Sequence, residues 1–155
     1  MPGYGTKPAG EGTGLLPWSW AEERLRASRN YWLVSTWPDG RPHAMPVWGM
    51  WHENEFWFSS SKASRKAQNL IANPRCVVTT EDANSPVVVE GIARVVATTD
   101  ELALMLELEN GKYSTDYGIE MLDPQVNASF RVRPSWAFGL QEGDFTGSPT
   151  RWDFR

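Results

Sequence analysis

The sequence predicts an α+β domain that is mainly β: one antiparallel sheet of six or seven strands closed into a small barrel, with short helices at its flanks. Two observations carry this. Runs rich in β-branched and aromatic residues recur between turn signals such as Pro38-Asp39-Gly40 and His52-Glu53-Asn54. Among them lies a single long helical pattern, from Thr98 to Gly111, with only short helices elsewhere. No internal repeat is visible.

Residues 1–14 are rich in Gly and Pro and lack periodicity, so residues 1–18 are expected to be a flexible arm and 19–155 the folded domain. Ser19 with Glu22 has the spacing of a capping box and predicts a helix to about Ser28, with Trp20, Ala21 and Leu25 on its buried side. Tyr31–Trp37 is a predicted strand, and the Pro-Asp-Gly turn returns the chain through a second one, Arg41–Trp51. Pro42 and Pro46 place that strand at a sheet edge or beside a bulge, because proline cannot donate to the ladder. Glu55–Ser60 completes a three-strand meander. A short helix carrying Ala67, Leu70 and Ile71 ends at Asn73-Pro74, and Arg75–Thr80 is the next strand. Val87–Val96 is long, with Gly91 marking a bulge or close approach. Thr98 and Glu101 form a second capping box, opening a helix with an apolar stripe of Leu102, Met105, Leu106 and Leu108 that Asn110-Gly111 would end. Ala128–Arg133 and Ser135–Leu140 read as strands around Pro134, and Thr150–Phe154 as a short last one.

A chain of 155 residues is long enough for one real core. Its net charge of −4 argues against a general nucleic-acid binder, which needs a basic face. The lone cysteine, Cys76, lies in an apolar run and reads as a buried, inert thiol. His43 and His52 have no metal-ligand spacing. There is no run of about 18 apolar residues to span a membrane and no apolar h-region at the start, so the cytoplasm is the simplest location. Nine tryptophans suit a packed aromatic core, with one or two left for a ligand pocket or a subunit interface.

The stretch with most chemistry is FWFSSSKASRKAQNLIANP, Phe56–Pro74. Serine hydroxyls, the free N–H groups of a helix start and the cations Lys62, Arg65 and Lys66 fall within eight residues. That combination suits an anion, above all a phosphate. The same residues also suit a solvated loop with an ordinary N-cap at Ser61 or Ser64.

The order of parts resembles the pyridoxamine 5′-phosphate oxidase-like superfamily of split β-barrel flavin and deazaflavin proteins, over roughly residues 20 to 154. Ser64-Arg65-Lys66-Ala67, followed by Asn69 and Asn73-Pro74-Arg75, is its most specific piece; Gly40-Arg41-Pro42 and Glu90-Gly91 with Ala93 add to it. The ending Pro149-Thr150-Arg151-Trp152-Asp153-Phe154 is similar to the branch that uses the deazaflavin coenzyme F420. The chain lacks the Arg-x-His that holds substrate phosphate in the vitamin-forming oxidases, and it carries His43, Met45 and Val47 where those enzymes have an Arg and then a Lys. Both departures count against pyridoxamine phosphate oxidation.

The resemblance implies a homodimer with the cofactor at the subunit interface. It implies that Arg65 and Lys66 hold the cofactor phosphate with Ser60, Ser61 and Ser64, and that Lys62 serves the phosphate or the anionic tail of F420. Met45, Pro46, Val47 and Trp48 would then lie under the flat ring, while Asn69 braces the loop. The implied reaction is hydride transfer to a small unsaturated or aromatic substrate, with solvent, Tyr113 or Tyr117 supplying a proton. The alternatives are an FMN-dependent oxidoreductase of the same fold and a non-catalytic flavin, deazaflavin or haem-binding protein. They separate on the F420 tail, for which Lys62, Arg41, Arg75 and Lys112 are the candidate cations.

Overall fold

The computed structural model describes residues 5–7, 11 and 15–154; most of the expected arm lies outside them. Helix α1 (Trp18–Ala27) leads into β1 (Tyr31–Thr36), β2 (Pro42–Val47), β3 (Met50–His52) and β4 (Glu55–Ser61). Helix α2 (Arg65–Ala72), β5 (Arg75–Thr80), β6 (Val87–Val96), α3 (Thr99–Tyr113), β7 (Asn127–Gly139) and β8 (Thr150–Asp153) follow. The strands run antiparallel in the order β2-β1-β5-β6-β7-β4-β3, with β8 added to β7. The sheet curls into a half-barrel whose end strands, β2 and β3, are consecutive in the chain yet not hydrogen-bonded to each other. The barrel is therefore split, as the resemblance implies.

The expected return strand Arg41–Trp51 is two strands. Its first half pairs β1 and its second half pairs β4, at opposite ends of the sheet order. The break falls at Trp48-Gly49, where the backbone passes directly over the core: a Cβ on Gly49 would sit 2.2 Å from the ring of Phe56. Pro42 and Pro46 both lie on the edge strand β2, where a missing donor costs least. Conversely, the two strands expected around Pro134 are one, β7, bent at a bulge. Gly91 pairs with Pro134 and Glu90 with Trp136, so Ser135 is the extra residue. Glycine is needed there because a Cβ would meet the Arg133 carbonyl oxygen at 2.5 Å.

Two helix boundaries, and the buried face of a third helix, differ from expectation for local reasons. In α1 the helix starts at Trp18 with Pro17 as its cap, so Ser19 lies inside the first turn and caps nothing, and the Glu22 carboxylate pairs with Arg26 at 2.8 Å. In α3 Thr98 is the cap as expected, with Glu101 N donating to Thr98 Oγ1 at 3.4 Å, while the Glu101 carboxylate accepts from the Thr98 hydroxyl at 2.8 Å. The helix then runs through Gly111 to Tyr113 and stops at Ser114, in the left-handed region at φ +55°. Asn110 folds the following loop back, accepting from Tyr117 N at 3.0 Å, and so frees the last turn to dock on Gly49. In α2 Ala67, Asn69 and Leu70 are buried, whereas Ile71 is 58% exposed.

Two apolar clusters hold the fold. Leu33, Phe56, Phe58, Val78, Val89 and Phe130 fill the barrel; Trp57, Val96, Leu102 and Met105 lie under α3. Alternation along β4 sends Phe56 and Phe58 inward and Trp57 outward to α3. The tryptophans divide accordingly: Trp51 and Trp57 are buried, while Trp32 and Trp48 are 46% and 38% exposed. Trp152 and Phe154 of the C-terminal segment pack edge-on against Trp18 at 5.5 and 4.9 Å. No helix among the described residues is long and apolar enough to cross a membrane.

Candidate functional site

The serine-basic stretch forms a tight turn between β4 and α2. Ser61 O accepts from Ser64 N at 2.9 Å, and Ser64 caps α2 with its hydroxyl accepting from Ala67 N at 3.3 Å. Ser60 and Ser64 are 3.0 Å apart, Oγ to Oγ. The backbone N–H groups of Arg65 and Lys66, the first two of the helix, have no acceptor among the described residues. The half-buried Lys66 has no acidic partner among them either. The Arg65 guanidinium lies 3.9 Å from the ring centre of Trp37 at the β1–β2 turn. Positive charge and open donors thus meet at one helix start with no acid to neutralise them, as an anion requires.

Period-two alternation divides the serine cluster. Ser60 shares the Phe58 face and joins Ser64, whereas Ser59 and Ser61 share the Trp57 face toward α3. Ser59 bonds Ser129 at 3.3 Å, and Ser61 Oγ accepts from Ala63 N at 3.2 Å. With Ser60, Glu109, Met121, Leu122 and Asn127 they line a cleft of about 300 Å³. Burial raises the Glu109 carboxyl above the usual range. Lys62 points elsewhere: its ammonium donates to the Pro124 carbonyl and its N–H to Val126 O at 3.0 Å, tying the turn to the loop before β7.

The residues expected under a ring lie along the edge strand β2 and just past it. Pairing with Leu33 and Tyr31 puts Met45 and Val47 on the barrel side, with Val47 buried and Met45 42% exposed, while Pro46 sits outside beside Trp32. The four side chains therefore do not share one face. Trp48 stacks on Tyr113 at 4.2 Å with an interplanar angle of 4°.

Beneath Trp48 lies a polar clamp that periodicity could not reveal. Gly49 N donates to the Tyr113 hydroxyl at 2.8 Å, and Lys112 Nζ donates to Gly49 O at 2.8 Å and to Tyr31 Oη at 2.7 Å. Tyr113 Oη in turn donates to Arg29 O at 2.8 Å. The last turn of α3 thereby holds both polar groups of Gly49, and Tyr113 and Lys112 are spent on structure. Asn69, buried at 1%, donates to Ser35 Oγ at 3.1 Å and braces α2 against β1.

Burial pushes the Lys112 amine down to about 8. An unfolded lysine keeps its proton to about pH 10.4. Between pH 8 and 10 the unfolded chain binds more protons, so stability rises with pH across that window. The Tyr31 phenol, raised by burial, acts oppositely only above its ordinary value of 10.0, where stability is lost as pH rises. Urea unfolding from pH 7.5 to 10 is expected to show a rising midpoint in the wild type and no such rise in Lys112→Met.

Two further clefts of about 520 Å³ each lie side by side on the outer sheet face, sharing Ile92 and Ser135. Arg75 lines one and Arg133 the other; both pair in register with Ile92, so the three form a row across β5, β6 and β7. Cys76 is buried here and its thiol is pushed up to about 12, so it is inert as expected.

Solved structures share this fold. The conserved hypothetical protein Rv2991 from Mycobacterium tuberculosis matches with a TM-score of 0.71 at 21% identity, over 89% of this chain and 85% of that one. A protein described as an F420 reductase gives 0.62 at 23% identity, over 75% and 94%. HutZ, the haem storage protein from Vibrio cholerae, gives 0.63 at 19%, over 74% and 87%. No curated protein sequence matches this chain. The family model described as pyridoxamine 5′-phosphate oxidase matches residues 21–139, a span that runs from within α1 to the end of β7 and takes in the serine-basic turn. With that match and the split half-barrel together, the chain belongs to the pyridoxamine 5′-phosphate oxidase family.

Proposed function

We propose that this protein is an F420-dependent oxidoreductase acting on a small unsaturated or aromatic substrate. The observation that carries the reading is the turn from Ser60 to Lys66: two cations without acidic partners and two backbone N–H groups without acceptors among the described residues, and a Ser60–Ser64 hydroxyl pair at one helix start. Whichever serine donates to the other, one hydroxyl proton remains for a phosphate oxygen. Lys66 and Arg65 hold the phosphate, and the exposed Met45 and Trp48 offer apolar surface to a ring. The bound deazaflavin supplies the hydride. Tyr113 has no proton to spare, since its hydroxyl donates to a backbone carbonyl, so the proton comes from solvent or Tyr117. The likeness of fold to a protein described as an F420 reductase supports the deazaflavin reading.

A specific observation favours FMN as the second reading. Of the four cations available to an F420 tail, Lys62 is bound to Pro124 O, Lys112 to Gly49 O and Arg41 to Asp39 at 2.8 Å, which leaves Arg75. Fluorescence titration with F420 and with FMN decides between them. Tighter F420 binding and turnover of an enone or quinone by the reduced form support the first reading; tighter FMN binding moves the protein to the second. Binding of neither overturns both.

The outer sheet face carries Trp32, Val34, Val77 and Ile92, with Trp32 and Ile92 46% and 43% exposed. We assign this face to a homodimer interface. Sedimentation should give twice the 17.5 kDa of one chain, and Ile92→Glu should shift the mass to that of a monomer. A monomeric wild type would refute the assignment.

A further inference from the structure

We propose that Trp37 is a positioning residue for the anion site, holding the Arg65 guanidinium over the start of α2, and that the β1–β2 turn is thereby a second wall of that site. Neither Trp37 nor its turn has a role in the reading above, on which this inference rests.

Trp37 follows β1, and its N–H and C=O are both tied within the turn: Trp37 N donates to Arg41 O at 2.8 Å and Gly40 N to Trp37 O at 2.9 Å. Gly40 supplies the positive φ of 89° that this closure needs. The backbone that carries the indole is thereby fixed by the turn, and the indole itself is half-buried. His43, across the hairpin, meets it edge-on at 6.2 Å.

Two guanidinium groups lie over this one ring, Arg65 at 3.9 Å and Arg41 at 4.5 Å from its centre. They are not equivalent. Arg41 is neutralised by Asp39, whose carboxylate takes its Nε at 2.8 Å. Arg65 has no acidic partner among the described residues, so the ring face is what orients it. An arginine side chain has many rotamers, and stacking one in advance lowers the entropy lost when it meets an anion. Lys66, its neighbour in sequence, has no comparable support among the described residues. The ligand class is a phosphate ester, because a planar fork held beside open helix N–H groups matches phosphate oxygens.

The test compares FMN with riboflavin, which differ only in phosphate, and, as a second pair, F420 with its deazaflavin alcohol, which lacks the anionic tail as well as the phosphate, by fluorescence titration. Wild type, Trp37→Leu, Trp37→Phe and Lys66→Ala are measured. Trp37→Leu is expected to lose about tenfold of the preference for the phosphorylated ligand while affinity for the phosphate-free one is unchanged. Trp37→Phe, which keeps a ring face, is expected to retain most of it. Equal weakening of both ligands in Trp37→Leu would show a merely structural role, and an unchanged preference would show no role; either overturns the inference. If Lys66→Ala also keeps the full preference, the phosphate site itself is misplaced; if Lys66→Ala loses it and Trp37→Leu does not, only the role of Trp37 falls.

Discussion

Gly49→Ala should destabilise the protein by about 3 kcal/mol, measured as a lower denaturation midpoint with an unchanged slope. The new methyl would lie 2.2 and 2.4 Å from two ring carbons of Phe56 and 2.8 Å from Trp57 O. Phe56 is fully buried and packs against Tyr31 and Phe58 at 4.7 and 5.8 Å, so it has nowhere to retreat. Moving the backbone instead would break the bonds from Gly49 N to Tyr113 and from Lys112 to Gly49 O. Gly111 is the natural control. It lies in the last turn of α3, in helical conformation and with open space around it, so Gly111→Ala should stabilise by about 0.5–1 kcal/mol. Equal effects at the two glycines would contradict this picture of the strand break.

Lys66→Ala should weaken binding of F420 or FMN by about 10- to 100-fold, since hydrogen bonds to a charged group are each worth about 1.5–3 kcal/mol. Lys62→Ala, four residues earlier, should change affinity less than about threefold, because surface charges held elsewhere contribute little. The two lysines look alike in sequence. The structure separates them: Lys62 is committed to a carbonyl of the loop before β7, and Lys66 has no partner among the described residues. Added salt should weaken binding in the wild type more than in Lys66→Ala, since the variant has one fewer cation to screen.

How much of this was legible in the sequence depends on the range of the interaction. Most of the strands and the Ser64 and Thr98 caps rest on neighbours a few residues apart, and these appear where the pattern puts them. The division of Arg41–Trp51 into β2 and β3 was not readable, because it arises from contact between Gly49 and Phe56 and from pairing with strands at opposite ends of the sheet. The same holds for α3, whose Asn110-Gly111 looks like a stop but is overridden by the docking of Lys112 and Tyr113.

At the candidate site, Ser60, Ser64, Arg65 and Lys66 could be chosen from composition and spacing. Counting period two along β4 would have separated Ser59 and Ser61 from Ser60, and along β2 would have separated Pro46 from Met45 and Val47. Trp37 was beyond reach, since its tie to Arg65 spans the turn, three strands and a helix start. So was the loss of Lys62 and Lys112 to backbone carbonyls.

The most direct test of the central claim is a structure of the protein with its tighter-binding cofactor, F420 or FMN. The phosphate is expected at the start of α2, within hydrogen-bond distance of the Arg65 and Lys66 N–H groups, with the Lys66 ammonium and the Ser60–Ser64 pair beside it. A phosphate found instead in the outer clefts, on Arg75 and Arg133, would contradict it and leave the serine-basic turn as an ordinary helix cap.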